Sequence, residues 1–228
     1  MVRTIRRYRD VMSIRAVIWD FDGTILDTEW PAFYAAKVEY ERVGLELSFE
    51  GWSTTIGTAN HRTWSDLLHE QAGDRIDSPE LVEQRYRTLK NEMTDSNPVM
   101  PGVSRLFDQI NELGLGCALA SSSPIGWVQR HTTRLGFWDR FEGVATRTDV
   151  GRERTKPHPD LFLLAAERAQ LDPAFCLVIE DSNHGVTAAN AAGMTAVAVP
   201  HRLTESHDFS HAAARLDSLE ELDLADWV

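Results

Sequence analysis

Two cysteines in 228 residues, Cys117 and Cys176, are too few for a disulfide framework, and each lies inside an apolar run where a small buried hydrophobe is expected. No stretch of about 18 apolar residues occurs, so a membrane-spanning helix is excluded. The arginine-rich start MVRTIRRYRD lacks the apolar segment of a secretory leader, and residues 1–12 read as a flexible, solvated extension. Positive charge is also scarce: 23 Lys and Arg against 35 Asp and Glu leave a net charge of -12. Such a field repels nucleic acid and anionic membranes. Internal repeats and low-complexity segments are missing as well. These absences leave a cytoplasmic globular protein, expected as a monomer, whose partner is a small molecule. If that molecule is an anion, local positive charge or a metal must hold it.

What is present begins with VIWDFDGTILDTE, residues 17–29, an apolar run that ends in acids. IRAVIWD (14–20) suits a strand buried on both faces. Residues 29–98 then carry helical spacing and no convincing strand, and they close on the breaker-rich Asp95-Ser96-Asn97-Pro98. After Pro101-Gly102, a helix runs to Gly114. Buried strands are expected at 115–121, 143–146, 176–181 and 195–200, with helices over about 125–135, 159–169 and 184–192. This alternation implies an α/β fold: a doubly wound, Rossmann-like parallel sheet with an inserted all-α helical cap. The division expected is a core of 13–28 and 99–228, and a cap of 29–98.

In such sheets ligands bind beyond the carboxyl ends of the strands. Asp20 and Asp22, Ser121, and Glu180-Asp181 each end an apolar run. Side chains two apart in extended chain share a face, so Asp20 and Asp22 enter one small volume. Two carboxylates that close repel unless a cation compensates, and an all-oxygen set suits Mg²⁺. An EF-hand does not fit, because Gly23 stands fourth where that loop needs a glycine sixth. Gly23 permits close approach of a ligand to the main chain, and Thr24 adds a hydroxyl. Ser121, with Ser122 and Ser123 before Pro124, offers hydroxyls and amides to an anion, although SSSP taken alone is a helix cap. Lys156, fixed by Pro157 and Pro159, is a counter-ion in this company and a solvated charge on its own.

DFDGT, the strand-end Ser121, Lys156-Pro157 and Glu180-Asp181, in that order, resemble the four motifs of the haloacid dehalogenase-like hydrolase superfamily. The helical insert between the first and second motifs is similar to the subgroup holding β-phosphoglucomutase and many sugar phosphate and phosphoglycolate phosphatases. The resemblance implies that Asp20 is a nucleophile forming an aspartyl phosphate and that Asp22 is the general acid and base. It implies Mg²⁺ on Asp20, the carbonyl of Asp22 and Asp181, with Glu180 close by. Ser121, Ser122, Lys156, Gly23 and Thr24 then hold the phosphoryl group. The implied activity is Mg²⁺-dependent hydrolysis of a small phosphate monoester.

Two alternatives are a phosphosugar mutase and a phosphate-binding regulatory module without turnover. A dehalogenase would lack Asp22 and the acid pair. The mutase's cap histidine is replaced by Ala32, and its lysine and asparagine after the second motif by Pro124 and Ile125, so water is the expected acceptor. The module would have lost Asp20, Asp22, Lys156 or Asp181, and all four are present. Within the cap, the loop TTIGTANHRTW (54–64) resembles a substrate specificity loop, with Asn60, His61 and Arg62 as candidate contacts. Each of these three taken singly reads as an exposed polar residue. Trp64 is expected in the cap interior. His69 and the Arg85-Arg87-Lys90 run read as a solvated helix face, and His158 as support for the turn after Lys156.

Overall fold

The protein is described over residues 13–228 of a computed structural model; the extension expected at 1–12 lies outside the described residues. β1 (Ala16–Trp19) is followed by four helices, α1 (Glu29–Arg42), α2 (Phe49–Ser53), α3 (Trp64–Ala72) and α4 (Pro79–Ser96). The chain continues through α5 (Val103–Glu112), β2 (Gly116–Ser121), α6 (Ile125–Arg134), β3 (Gly143–Thr146) and a short α7 (Arg147–Val150). It ends with α8 (Asp160–Arg168), β4 (Cys176–Glu180), α9 (Asn183–Ala191), β5 (Thr195–Ala198) and the two-residue β6 (Ala214–Arg215). No helix among the described residues is long and apolar enough to cross a membrane.

The strands form one sheet in the order β3-β2-β1-β4-β5-β6, and all pairs are parallel. Because the chain winds one way from β1 to β3 and the other way from β4 to β6, the order reverses between β1 and β4. That crevice is the topological switch point of the fold. Central position explains why β1 is apolar throughout: it pairs on both edges, with Trp19 level with Leu119 and Ile179.

Alternation of side chains divides the core between the two faces. One face collects Val17, Trp19, Leu119, Leu177 and Ile179, with Trp19 stacked on Phe107 of α5 at 4.9 Å. The other collects Ala16, Ile18, Ala118, Ala120 and Val178, small enough to admit Phe162 of α8 and the alanines of α9. Full burial of each Val, Leu or Ile contributes roughly 1.5–3 kcal/mol, so both faces are needed to hold the strand tips in register. Cys117 and Cys176 are buried free thiols on these strands, as their apolar surroundings predict.

The strands expected from sequence are all present, shortened by a residue or two at some ends. β6 and α7 were not expected, being two and four residues long, too short to carry a period.

Between β1 and α5, α1, α3 and α4 enclose a small core of Tyr40, Leu68, Ala72 and Val82. Trp64 packs on Tyr86 at 4.5 Å beside this core but is only partly buried, so it is not the interior residue its helical spacing predicts. Three of the insert's four helices, α2, α3 and α4, start at hydroxyl caps, where Ser48, Thr63 and Ser78 accept the amides of Gly51, Asp66 and Leu81. The two crossings between this insert and the sheet lie side by side. Leu26 bridges Val99, Met100 N donates to the Ile25 carbonyl at 2.9 Å, and Asn97 Nδ2 donates to the Asp27 carbonyl at 2.7 Å.

One expectation for α4 is corrected. Arg85, Arg87 and Lys90 do not share a solvated face, because 3.6 residues per turn carries Arg85 about 200° round from Arg87. Arg85 Nε lies 3.0 Å from both oxygens of the buried Glu39, and Lys90 turns toward the sheet. Only Arg87, 70% exposed beside Glu83, is the solvated side chain expected. His69 is half-buried, with Nε2 shielded from solvent.

Candidate active site

The acids of the two central strands meet where the sheet order reverses. Asp20 follows β1 directly, and its amide donates to the Ile179 carbonyl at 3.0 Å, which extends the ladder by one residue and aims the side chain out of the sheet. Lys156 comes from the segment before α8 and is completely buried. Its Nζ lies 2.5 Å from Asp20 Oδ1 and 2.6 Å from Glu180 Oε1, and 4.9 Å from the centre of the Phe162 ring. Burial works against a charged ammonium, yet Asp20 and Glu180 outweigh it and hold the Lys156 pKa above the ordinary lysine value.

Glu180 has no free oxygen. Oε1 takes Lys156, while Oε2 accepts the amides of Asp181 and Ser182, each at 3.0 Å, and the Ser182 hydroxyl at 2.9 Å. Gly185 of α9 lies so close that a Cβ there would stand 1.8 Å from the Glu180 carboxyl carbon. The helix amino terminus therefore packs its backbone onto this acid. Glu180 acts here as the anchor of Lys156 and of the turn.

Asp20 Oδ2 and Asp181 Oδ2 are the opposite case. Both are buried without a hydrogen-bond partner. His201 Nε2 stands 2.7 Å from Asp181 Oδ2 but out of line for a hydrogen bond, so it too is unsatisfied. Burial pushes the Asp20 carboxyl well above its usual range; Lys156 opposes that, while Glu180, Asp181 and Asp22 add to it. Burial and Glu180 likewise raise Asp181. Asp20, Glu180 and Asp181 each place an oxygen within 4.8 Å of the others. A buried acidic cluster with two bare oxygens and all-oxygen donors fits a hard divalent cation.

Gly23 closes the cluster from the chain side. At φ +86° it adopts a conformation rare for other residues, and a Cβ there would meet Asp181 Oδ2 at 2.4 Å and His201 Nε2 at 2.7 Å. Thr24 Oγ1 is buried beside it without a partner. Asp22 faces the same volume, its Oδ1 accepting from Thr28 Oγ1 at 2.8 Å and Trp127 Nε1 at 2.9 Å, its Oδ2 from Ser121 Oγ at 3.2 Å. Ser121 Oγ also accepts the Ser123 amide at 3.0 Å, tying the β2 tip to the turn that enters α6.

A cavity of about 950 Å³ opens above these groups, between the strand tips and the helical insert. Asp20, Asp22, Ser122 and Trp127 line its floor; Gly57, Trp64 and Lys90 line its roof. The loop 54–63 is fastened to the floor mainly through its backbone. Ser122 Oγ donates to the Gly57 carbonyl at 2.9 Å, Arg152 Nε to the Ala59 carbonyl at 3.1 Å, and the Ala59 amide to Thr155 Oγ1 at 3.2 Å. Gly57, at φ +89°, would place a Cβ 2.2 Å from Ser182 Oγ.

The candidate cap contacts divide. His61 and Arg62 line the cavity, although His61 Nδ1 is turned to the Arg62 carbonyl at 2.7 Å and Arg62 pairs with Glu70 at 2.8 Å. Asn60 is exposed and lies outside the cavity lining. The His158 amide donates to the Thr155 carbonyl at 3.1 Å within the turn after Lys156.

Sequence reasoning did not find Trp127, Lys90, His201, Arg152 or Glu29. His201 carried the signal already used for the acids, since it closes the run after β5. Glu29, the first residue of α1, lines the cavity with its carboxyl pushed up to about 8 by burial and by Asp22 and Asp181. The other three project from helices and turns, where a local pattern does not say what they face.

Comparison with known proteins agrees with this geometry. The chain is 39% identical over 212 residues to YhcW of Bacillus subtilis (strain 168), covering 93% of this chain and 95% of that one. It is 28% identical over 217 residues to hexitol phosphatase B of Escherichia coli (strain K12), covering 94% and 96%. The crystal structure of CbbY from Rhodobacter sphaeroides in complex with phosphate shares the fold, with TM-score 0.74, 24% identity and coverage of 94% of this chain and 99% of that one. The family model for haloacid dehalogenase-like hydrolases matches residues 14–193, and the chain belongs to that family.

Proposed function

We propose that the protein is a Mg²⁺-dependent phosphatase that hydrolyses a small phosphate monoester of the sugar phosphate type. The observation that carries this reading is Asp20: one oxygen is held by Lys156, the other is bare and buried, and Asp22 stands beside it. Hexitol phosphatase B, a relative over nearly its whole length, is named for hydrolysis of such an ester.

In this reading residues 13–28 and 99–228 are the catalytic core and 29–98 the cap. Asp20 attacks phosphorus, forming an aspartyl phosphate as the ester oxygen leaves. Asp22 gives its proton to that oxygen and then takes one from the water that frees the phosphate. Lys156 has three N–H donors and spends two on carboxylates, so the third is available to a phosphoryl oxygen. Ser121, with Ser122 and the turn at Gly23 and Thr24, supplies further donors around the same group. Asp20, the Asp22 carbonyl and Asp181 would hold the metal. The chemistry such a cation would supply there is neutralisation of the charge on the phosphoryl oxygens and on the crowded acids. Of the three candidate cap residues, His61 and Arg62, which line the cavity, are proposed to select the alcohol that leaves, and Asn60 is not.

Phosphate release from p-nitrophenyl phosphate with Mg²⁺ tests the assignment. Asp20→Asn should lower it at least about a thousand-fold while cooperative unfolding is retained. Chelation should stop the wild-type reaction and added Mg²⁺ restore it. Turnover surviving in pure Asp20→Asn would remove Asp20 as nucleophile.

A further inference from the structure

Asp22 is gripped by donors from three separate segments, and the donors are not equivalent. Hydroxyls of Thr28 and Ser121 can turn, donating to a carboxylate or accepting from a carboxylic acid. The Trp127 indole N–H can only donate. It points at Oδ1 from 2.9 Å, so a proton on Oδ1 would face another proton. Oδ2 receives only the 3.2 Å contact from Ser121, a hydroxyl that can turn away, and is therefore the oxygen left to face an ester.

The indole is itself clamped. Lys90 Nζ, from α4 of the insert, sits 3.8 Å above the Trp127 ring, and His131 packs edge-on at 4.2 Å. Lys90 forms no ion pair within 4 Å among the described residues; besides the ring it faces the charges of Asp22, Glu29 and Glu83. Trp127 belongs to the sheet side of the cavity and Lys90 to the helical side, so this pose exists only with the two sides together.

We propose that Trp127 is a positioning residue: its indole N–H, fixed on Oδ1, orients the Asp22 carboxyl so that Oδ2 is the oxygen presented to the ester, and Lys90 holds the indole in that pose. This rests on the reading of Asp22 as general acid and base. Trp127 itself exchanges no proton with the ester.

The test compares phenyl phosphate with p-nitrophenyl phosphate, two esters of nearly the same shape. Phenolate leaves poorly and needs the proton; p-nitrophenolate leaves largely without it. In Trp127→Phe, kcat/KM for phenyl phosphate should fall about ten-fold and that for p-nitrophenyl phosphate less than about three-fold. Lys90→Met should show the same split at about half the logarithmic size, and it decides the matter if Trp127→Phe does not fold. Equal losses on both esters, or no loss, would overturn the positioning role and leave the phosphatase reading intact. A wild type that cleaves neither ester would overturn both.

Discussion

At the strand tips Lys156 is completely buried between two carboxylates, whereas across the cavity Arg62 and Arg87 stand 62% and 70% exposed beside acids that are open to water too. Both regions pair charge with charge, yet the pairs do different things. A buried ion that loses its partner is left uncompensated, so the strand tips hold one geometry. An exposed pair is screened and contributes little, so the insert's surface can rearrange without consequence for folding. Lys90 and Arg85 lie between these extremes, which is why neither behaves as the sequence pattern suggests.

Three substitutions probe this contrast. The largest effect is expected at Lys156→Met, which leaves Asp20 and Glu180 buried without their cation. Urea unfolding should show a loss of about 3–5 kcal/mol. A near-neutral result would show that the tips relax or neutralise as readily as the insert.

The second concerns His131, fully buried in α6, with neither ring nitrogen hydrogen-bonded. Burial, then Arg130 and Arg134, lower its pKa to about 4. The unfolded chain therefore binds this proton below about 6.5, and the folded chain only below about 4, so stability is lost as pH falls through that window. The loss should be on the order of 2–3 kcal/mol and should be largely removed in His131→Phe. Parallel pH profiles for the two proteins would count against it.

The smallest effect is expected at Arg62→Ala, where only the exposed pair with Glu70 is lost. The melting temperature should change by about 1 °C or less. A larger drop would place Arg62 among the structural charges and blur the distinction between the two regions.

Legibility from sequence followed the same line. Asp20, Ser121, Glu180 and Asp181 were visible because a strand has a period of two and a definite end, and the end of a parallel strand is where the fold exposes polar groups. The helical insert was visible as a change of period. Trp127 and Lys90 were not, because what a helical side chain meets depends on rotation about its axis and on a neighbour distant in sequence. Glu180 shows a subtler limit. Its position was read correctly, but only the surrounding amides reveal that both its oxygens are already occupied.

The fastening of the loop 54–63 has a further meaning for how such an enzyme changes its diet. The grip on Gly57 and Ala59 is on peptide groups, which every amino acid carries alike. Replacing the side chains of His61 and Arg62 leaves those grips untouched, so, on the reading proposed for these two residues, preferences for the departing alcohol can be tried one codon at a time without unfastening the loop.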